Sequence, residues 1–259
     1  MKRRKKSRFV DYSLNMLFKA GVFSFLRSFS PGVLTVLNYH RIADISDPGF
    51  DTFKPNVSAT PETFALQMDY LKSNYNVITC RELSAWVKDG VDLPPHPAVV
   101  TIDDGYRDNL SNAYPILRDR GLTAMIFLSS GYMGGSAPFY WDLAAYAFYH
   151  SRKNSIQMPY GEWVTWFDDT SLDMVVNKWV GAVKYCKESE RQRHMERLLA
   201  ELDVAVPHDA FDGLYLDWDQ VRELKEGGIE FGAHTVSHPI LASLPLDLVE
   251  KELVESKSR

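Results

Sequence analysis

Cysteine is nearly absent: the 259 residues hold two, Cys80 and Cys186, without a CxxC spacing. That scarcity excludes a disulfide framework and a thiolate zinc site, leaving room for one disulfide at most. Also missing is any run of the roughly 20 apolar residues that a membrane-crossing helix requires. The basic start and residues 14–29 have the outline of a signal peptide, but Lys19 and Arg27 interrupt it. No small-x-small cleavage site follows, so a conventional secretion signal is not expected. Positive charge is lacking from the body of the chain. The formal charge is −5, yet Lys2, Arg3, Arg4, Lys5, Lys6 and Arg8 supply six positive charges; removing these six leaves −11 on the remainder. An acidic body argues against nucleic acid as a partner. Repeats and low-complexity tracts are absent beyond the basic leader.

What is present suits one large soluble domain: 45% hydrophobic and 24% charged residues over this length support a substantial core, and a single α/β barrel would fit. Residues 1–30 read separately. Leu14, Leu17, Phe18, Gly21, Val22, Phe25, Leu26 and Phe29 recur at helical spacing, giving an amphipathic helix behind a basic leader. Two roles stay open for it, docking on the domain or contact with an anionic membrane surface.

The body alternates strands and helices. A β-branched run at 33–37 ends in Asn38-Tyr39-His40-Arg41, and 44–59 reads as loop by its prolines and glycine. Thr60 caps a helix with Pro61 at its first position and Phe64, Met68 and Leu71 along one face. A strand at 76–79, a short helix at 81–88, a strand beginning at Ala98, a helix at 110–120 stopped by Gly121 and a strand at 123–128 follow. The last three form the βαβ signature of a parallel sheet. Residues 131–214 are aromatic-rich, then helix-rich, without a clear strand run. They are expected to be a mostly helical insertion, with helices at 141–150, 172–187 and 190–202, that either shapes a substrate groove or caps the barrel. His150, His194 and His208 show no ligand spacing and are expected on the surface. Asp217 opens a helix that stops at Gly227, a strand at 229–233 runs into His234, and a last helix covers 246–255.

Chemistry concentrates at two strand ends. The apolar run Ala98-Val99-Val100 continues into Thr101-Ile102-Asp103-Asp104-Gly105, so a buried strand ends in two adjacent carboxylates. Without a cation or proton to hold it, a buried carboxylate carries a large desolvation cost. The other strand end is His234-Thr235-Val236-Ser237-His238-Pro239, two imidazoles four residues apart across a Pro-terminated turn. Functional groups gather at the carboxyl ends of parallel strands, so the two loops can share one pocket. Two imidazoles and one carboxylate make a metal-ligand set with positions left for water and substrate. The second aspartate is then free to act as a general base, which points to hydrolysis of an amide or ester. Taken singly, the aspartates could cap the next helix and the histidine spacing could be incidental. Their joint placement at two apolar strand ends argues against both.

The segment Thr101 to Tyr106 resembles the TFDDG motif of the polysaccharide deacetylase family (the NodB-homology domain), with Ile102 where phenylalanine is usual. His234 to Pro239 resembles that family's H-[ST]-x-x-H-P motif. Tyr39-His40-Arg41-Ile42 is similar to the YHxI start of many members, and residues 64–71 to the helix after it. The likeness runs from about residue 33 to the end. It implies an α/β fold, a distorted (β/α) barrel over residues 31–259 with the insertion at about 131–214. It also implies removal of acetyl groups from an N-acetylated cell-surface polysaccharide such as chitin, peptidoglycan or exopolysaccharide. On this likeness Asp103 is the base, and Asp104, His234 and His238 bind one divalent metal ion, with Zn2+ the expected one. His40 and Tyr106 are candidate substrate contacts; a satisfied core histidine is the alternative for His40. Family members have later strands carrying a base-orienting arginine and a histidine acid, so at Arg259 the barrel is expected to be incomplete at its C-terminal strands, with an open edge and exposed apolar surface. A truncated, catalytically impaired binding remnant is the alternative function. The expected location is a bacterial cytoplasm or a membrane surface.

Overall fold

A computed structural model describes residues 32–259; the amphipathic helix expected over residues 1–30 lies outside the described residues. In chain order the elements are β1 (Thr35–Tyr39), β2 (Arg41–Ile42), β3 (Val57–Ala59), α1 (Pro61–Asn74), β4 (Asn76–Val77), α2 (Cys80–Asp89), β5 (Pro97–Asp104), α3 (Tyr114–Arg120) and β6 (Met125–Leu128). They continue with α4 (Tyr140–His150), β7 (Ser155–Gln157), β8 (Trp163–Thr165), α5 (Asp169–Val183), α6 (Glu188–Leu202), α7 (Trp218–Glu226), β9 (Glu230–Ala233) and α8 (Leu246–Ser258).

The central strand is β5. Every residue of it is buried except Asp103, which is why its sequence is continuously apolar rather than alternating until the aspartates. Parallel partners flank it: β1 in register from Thr35 with Ala98 to Tyr39 with Ile102, and β6 from Thr101 with Met125 to Asp104 with Leu128. Beyond β6 lies β9, and β4 pairs with the start of β5. Because all five strands are parallel, the carboxyl ends of β5 and β9 open at the same end of the sheet, which brings the two motifs together. Glu230 of β9 accepts hydrogen bonds from the backbone amides of Cys80 and Arg81 in the first turn of α2, tying that helix to the far strand.

The sheet is open. Among the described residues β1 and β9 are its outer strands, so these strands form a parallel α/β sheet and not a closed barrel. Val33, just before β1, and Val36 within it are exposed, and a groove of about 440 Å3 runs between β1 and α1, lined by Thr35, Leu37, Leu66, Tyr70, Leu71 and Tyr75.

Several expected boundaries move. The first strand begins two residues later than expected, and the expected loop at 44–59 contains β3, which pairs parallel with β2. The insertion, expected to have no strands, carries the antiparallel pair β7 and β8. At two or three residues each, these strands are too short for alternation to register as a signal. A π-helical turn, Asn109–Ala113, precedes α3, where Pro115 has no N–H to extend an α-helical ladder backward. Val175, Val176, Trp179 and Val180 of α5 and Met195, Leu198 and Leu202 of α6 join Ile102, Ile126 and Leu128 of the sheet in one apolar cluster. Both cysteines are free thiols.

Candidate metal centre

Asp104 ends β5 with a backbone φ of 77°, followed by Gly105 at 82°. Only glycine enters that second position cheaply, since a Cβ on Gly105 would also lie 2.8 Å from a Leu128 methyl. This left-handed pair turns the chain sharply and aims the Asp104 carboxylate back over the sheet end. The carboxylate is 1% exposed, and neither oxygen has a hydrogen-bond partner. At β9 the loop from His234 to His238 is also strained: Thr235 has φ 66° and His238 φ 56°. A β-branched residue in that region is an outlier that persists only when its surroundings enforce it.

The two loops converge. His238 Nε2 stands 3.2 Å from Asp104 Oδ1, His234 Nε2 stands 3.8 Å from the same oxygen, and the two Nε2 atoms are 3.1 Å apart. Such separations suit ligand atoms around one ion with bonds of about 2.0–2.2 Å. Burial and then the neighbouring His238 lower the pKa of His234 against the pull of Asp103 and Asp104, favouring the neutral imidazole that ligates. A desolvated carboxylate with two unpartnered oxygens, facing two imidazole nitrogens, fits a divalent cation. Phe139 and Trp141 pack edge-on against the His238 ring at 5.4 and 5.2 Å. The aromatic start of the insertion therefore braces His238 from behind, both rings being buried themselves.

Asp103 lies at the same strand end, near enough to the imidazoles for its charge to act on His234. Asn38 Nδ2 donates to its Oδ2 at 2.9 Å, and His40 Nε2 lies 4.0 Å from the same oxygen. Thr101 Oγ1 in turn donates to Asn38 Oδ1 at 2.9 Å, which sets the amide the right way round. His40 is thus at the site with its side chain 38% exposed. Tyr106 is not: it is fully buried, and its hydroxyl donates to Asp142 at 2.6 Å and accepts from Trp141 Nε1 at 2.9 Å. A ring so enclosed is a brace of the core, which corrects the expectation of a substrate contact.

Sequence reasoning missed Asn38 and Asp142. The signal for Asn38 was available, since it stands at the end of the first strand, two residues before His40. Asp142 carried none; it accepts from Phe53 N, Tyr106 and Tyr215, brought together only by folding. His194 also differs from expectation. With Cys186 and Glu190 it forms a second group of ligand atoms within 4.8 Å, at i, i+4 spacing, with the glutamate exposed.

Residues 90–259, more than half of the chain, match the family model described as polysaccharide deacetylase. Bacillus subtilis (strain 168) YxkH, whose name assigns it provisionally to the polysaccharide deacetylases, is 27% identical over 106 residues. That match covers 40% of this chain and 35% of YxkH, about a third of the relative's length. Among solved structures, the Streptococcus pyogenes deacetylase PplD in complex with acetate is similar in fold, with a TM-score of 0.50 and 17% identity over 88% of this chain and 68% of PplD. IcaB from Ammonifex degensii is 19% identical, over 87% of this chain and 65% of its own, with a TM-score of 0.47. On the extent of the family match, the chain belongs to the polysaccharide deacetylase family.

Proposed function

We propose that this protein is a metal-dependent hydrolase that removes N-acetyl groups from a cell-surface polysaccharide. The observation that carries the reading is the buried Asp104 carboxylate, unpartnered and facing two imidazoles, with a second carboxylate beside it on the open side. Asp104, His234 and His238 would hold the ion, with Zn2+ suited to an oxygen and two nitrogens. When bound there, a divalent cation supplies Lewis acidity toward water and an acetyl carbonyl. Asp103 is placed to accept a proton from the attacking water, and Asn38 fixes the orientation of its carboxylate. His40, half-exposed beside Asp103, faces the space where substrate would lie.

Acetate release from N-acetylglucosamine oligomers by the zinc-loaded protein tests the reading. D103N is expected to lower turnover at least about 100-fold, in the range typical of a lost general base, with the metal retained. H234A is expected to lose the metal. Zinc binding without acetate release from any N-acetylated polymer would favour a carbohydrate- or metal-binding relative of the same fold instead.

A further inference from the structure

The loop that carries both histidines is held largely by groups outside it. Thr235 and His238 lie in the left-handed region, and within the loop the Thr235 hydroxyl donates to His234 O and accepts from His238 N at 3.1 Å. The carbonyls are held from one side, where Ser130 N donates to Thr235 O at 3.0 Å and Gly131 N to Val236 O at 2.9 Å. The amides between the two ligands point the other way. Val236 N and Ser237 N both donate to one carboxylate oxygen of Glu252, at 2.7 and 3.0 Å, and Ser237 Oγ donates to the other at 2.6 Å. Glu252 stands on α8, whose end is pinned to the opposite loop by Arg259 Nη1 donating to Ser130 O at 3.3 Å. The N–H of the same Ser130 holds Thr235 O, so the helix, the loop after β6 and the histidine loop form one closed hydrogen-bonded circuit.

We propose that Glu252 is the positioning residue of the metal centre and sets its affinity for a divalent ion. The inference rests on the metal-binding reading of Asp104, His234 and His238. The peptide planes between the ligands fix the directions in which the two imidazoles leave the backbone, and Glu252 is what fixes those planes. Charge-assisted hydrogen bonds to backbone amides are short and strong, and such a carboxylate can offset the strain of two left-handed residues. Without it the loop relaxes and the imidazoles leave the Asp104 oxygen. Groups that orient metal ligands typically contribute 10–100-fold in metal affinity.

The test is Zn2+ titration by calorimetry on the full chain, stripped with EDTA, comparing wild type with Glu252→Leu, Glu252→Gln and Glu250→Leu. Glu252→Leu keeps the size and removes the acceptors; it is expected to weaken Zn2+ binding about 10–100-fold. Glu252→Gln keeps an amide oxygen for the two N–H groups and should stay within about 3-fold of wild type, which also covers the case in which the leucine variant fails to fold. Glu250, exposed on the same helix, carries the same charge away from the loop, and its leucine variant should bind Zn2+ as wild type does. Wild-type affinity in a folded Glu252→Leu, a Glu252→Gln as weak as a lost ligand, or an equal loss in Glu250→Leu would each overturn the proposal. If wild type itself binds no Zn2+, or binds it undiminished after His234→Ala, the metal reading fails and takes this inference with it.

Discussion

At the scale of single residues, the centre depends on carboxylates placed in different states by their surroundings. Asp104 is desolvated and open toward the imidazoles, Asp103 is held by an amide, and Asp142 is enclosed with two tyrosines and Arg41 nearby. Burial raises the Asp142 pKa from 3.8 to about 6, partly countered by Arg41 and by the hydrogen bonds of Tyr106 and Phe53. Between those two values the native state binds more protons than the unfolded chain, so the contribution of Asp142 to stability falls as pH rises through that window, by roughly 3 kcal/mol in all. Urea unfolding in EDTA at several pH values should show wild type losing stability relative to D142N between about pH 4 and 6. Parallel curves for the two proteins across that range would show that Asp142 does not titrate there.

At the scale of elements, the site is a junction of two loops, and its closeness depends on one small residue. Gly131, just beyond β6, sits with its backbone against the histidine loop. A Cβ there would fall 2.6 Å from the Val236 carbonyl oxygen, a backbone atom that cannot turn away. G131A is expected to force the loops apart, costing about 1–3 kcal/mol as overpacking does. Its Zn2+ affinity should fall with the lost Gly131 to Val236 hydrogen bond. A urea midpoint and a Zn2+ affinity both equal to wild type would show that the loops tolerate separation. The strain at Asp104, Thr235 and His238 belongs to this scale too: each residue is held in place by neighbours from another element.

Taking the molecule as a whole, the insertion and the sheet are one packing unit. Trp179 of α5 is 2% exposed and belongs to the same apolar cluster as the strand residues Ile102 and Ile126. W179A should therefore cost about 3–5 kcal/mol. Far-UV and near-UV signals should unfold in one coincident urea transition. Two separated transitions would mean that the insertion folds on its own. The β1 side of the sheet and the groove beside it are exposed apolar features among the described residues.

The sequence alone determined what local pattern can carry. An apolar run that ends in two aspartates, and a strand that ends in H-x-x-x-H-P, are each contiguous, so the two segments that the fold brings together as Asp104, His234 and His238 were legible. Helix starts were legible for the same reason at Thr60 and Asp217, which cap through neighbours three residues on; Thr79, expected to end a strand, also caps a helix. Tertiary structure decided everything that needs distant segments to meet. Asn38 reaches Asp103 across 65 residues, and Tyr106 turns inward because Asp142, 36 residues on, takes its hydroxyl. Glu252 looks like any polar residue on an amphipathic helix until α8 lays it under the histidine loop. Hydrogen bonds between remote segments depend on chain closure and packing, neither of which leaves a periodic trace in the order of residues.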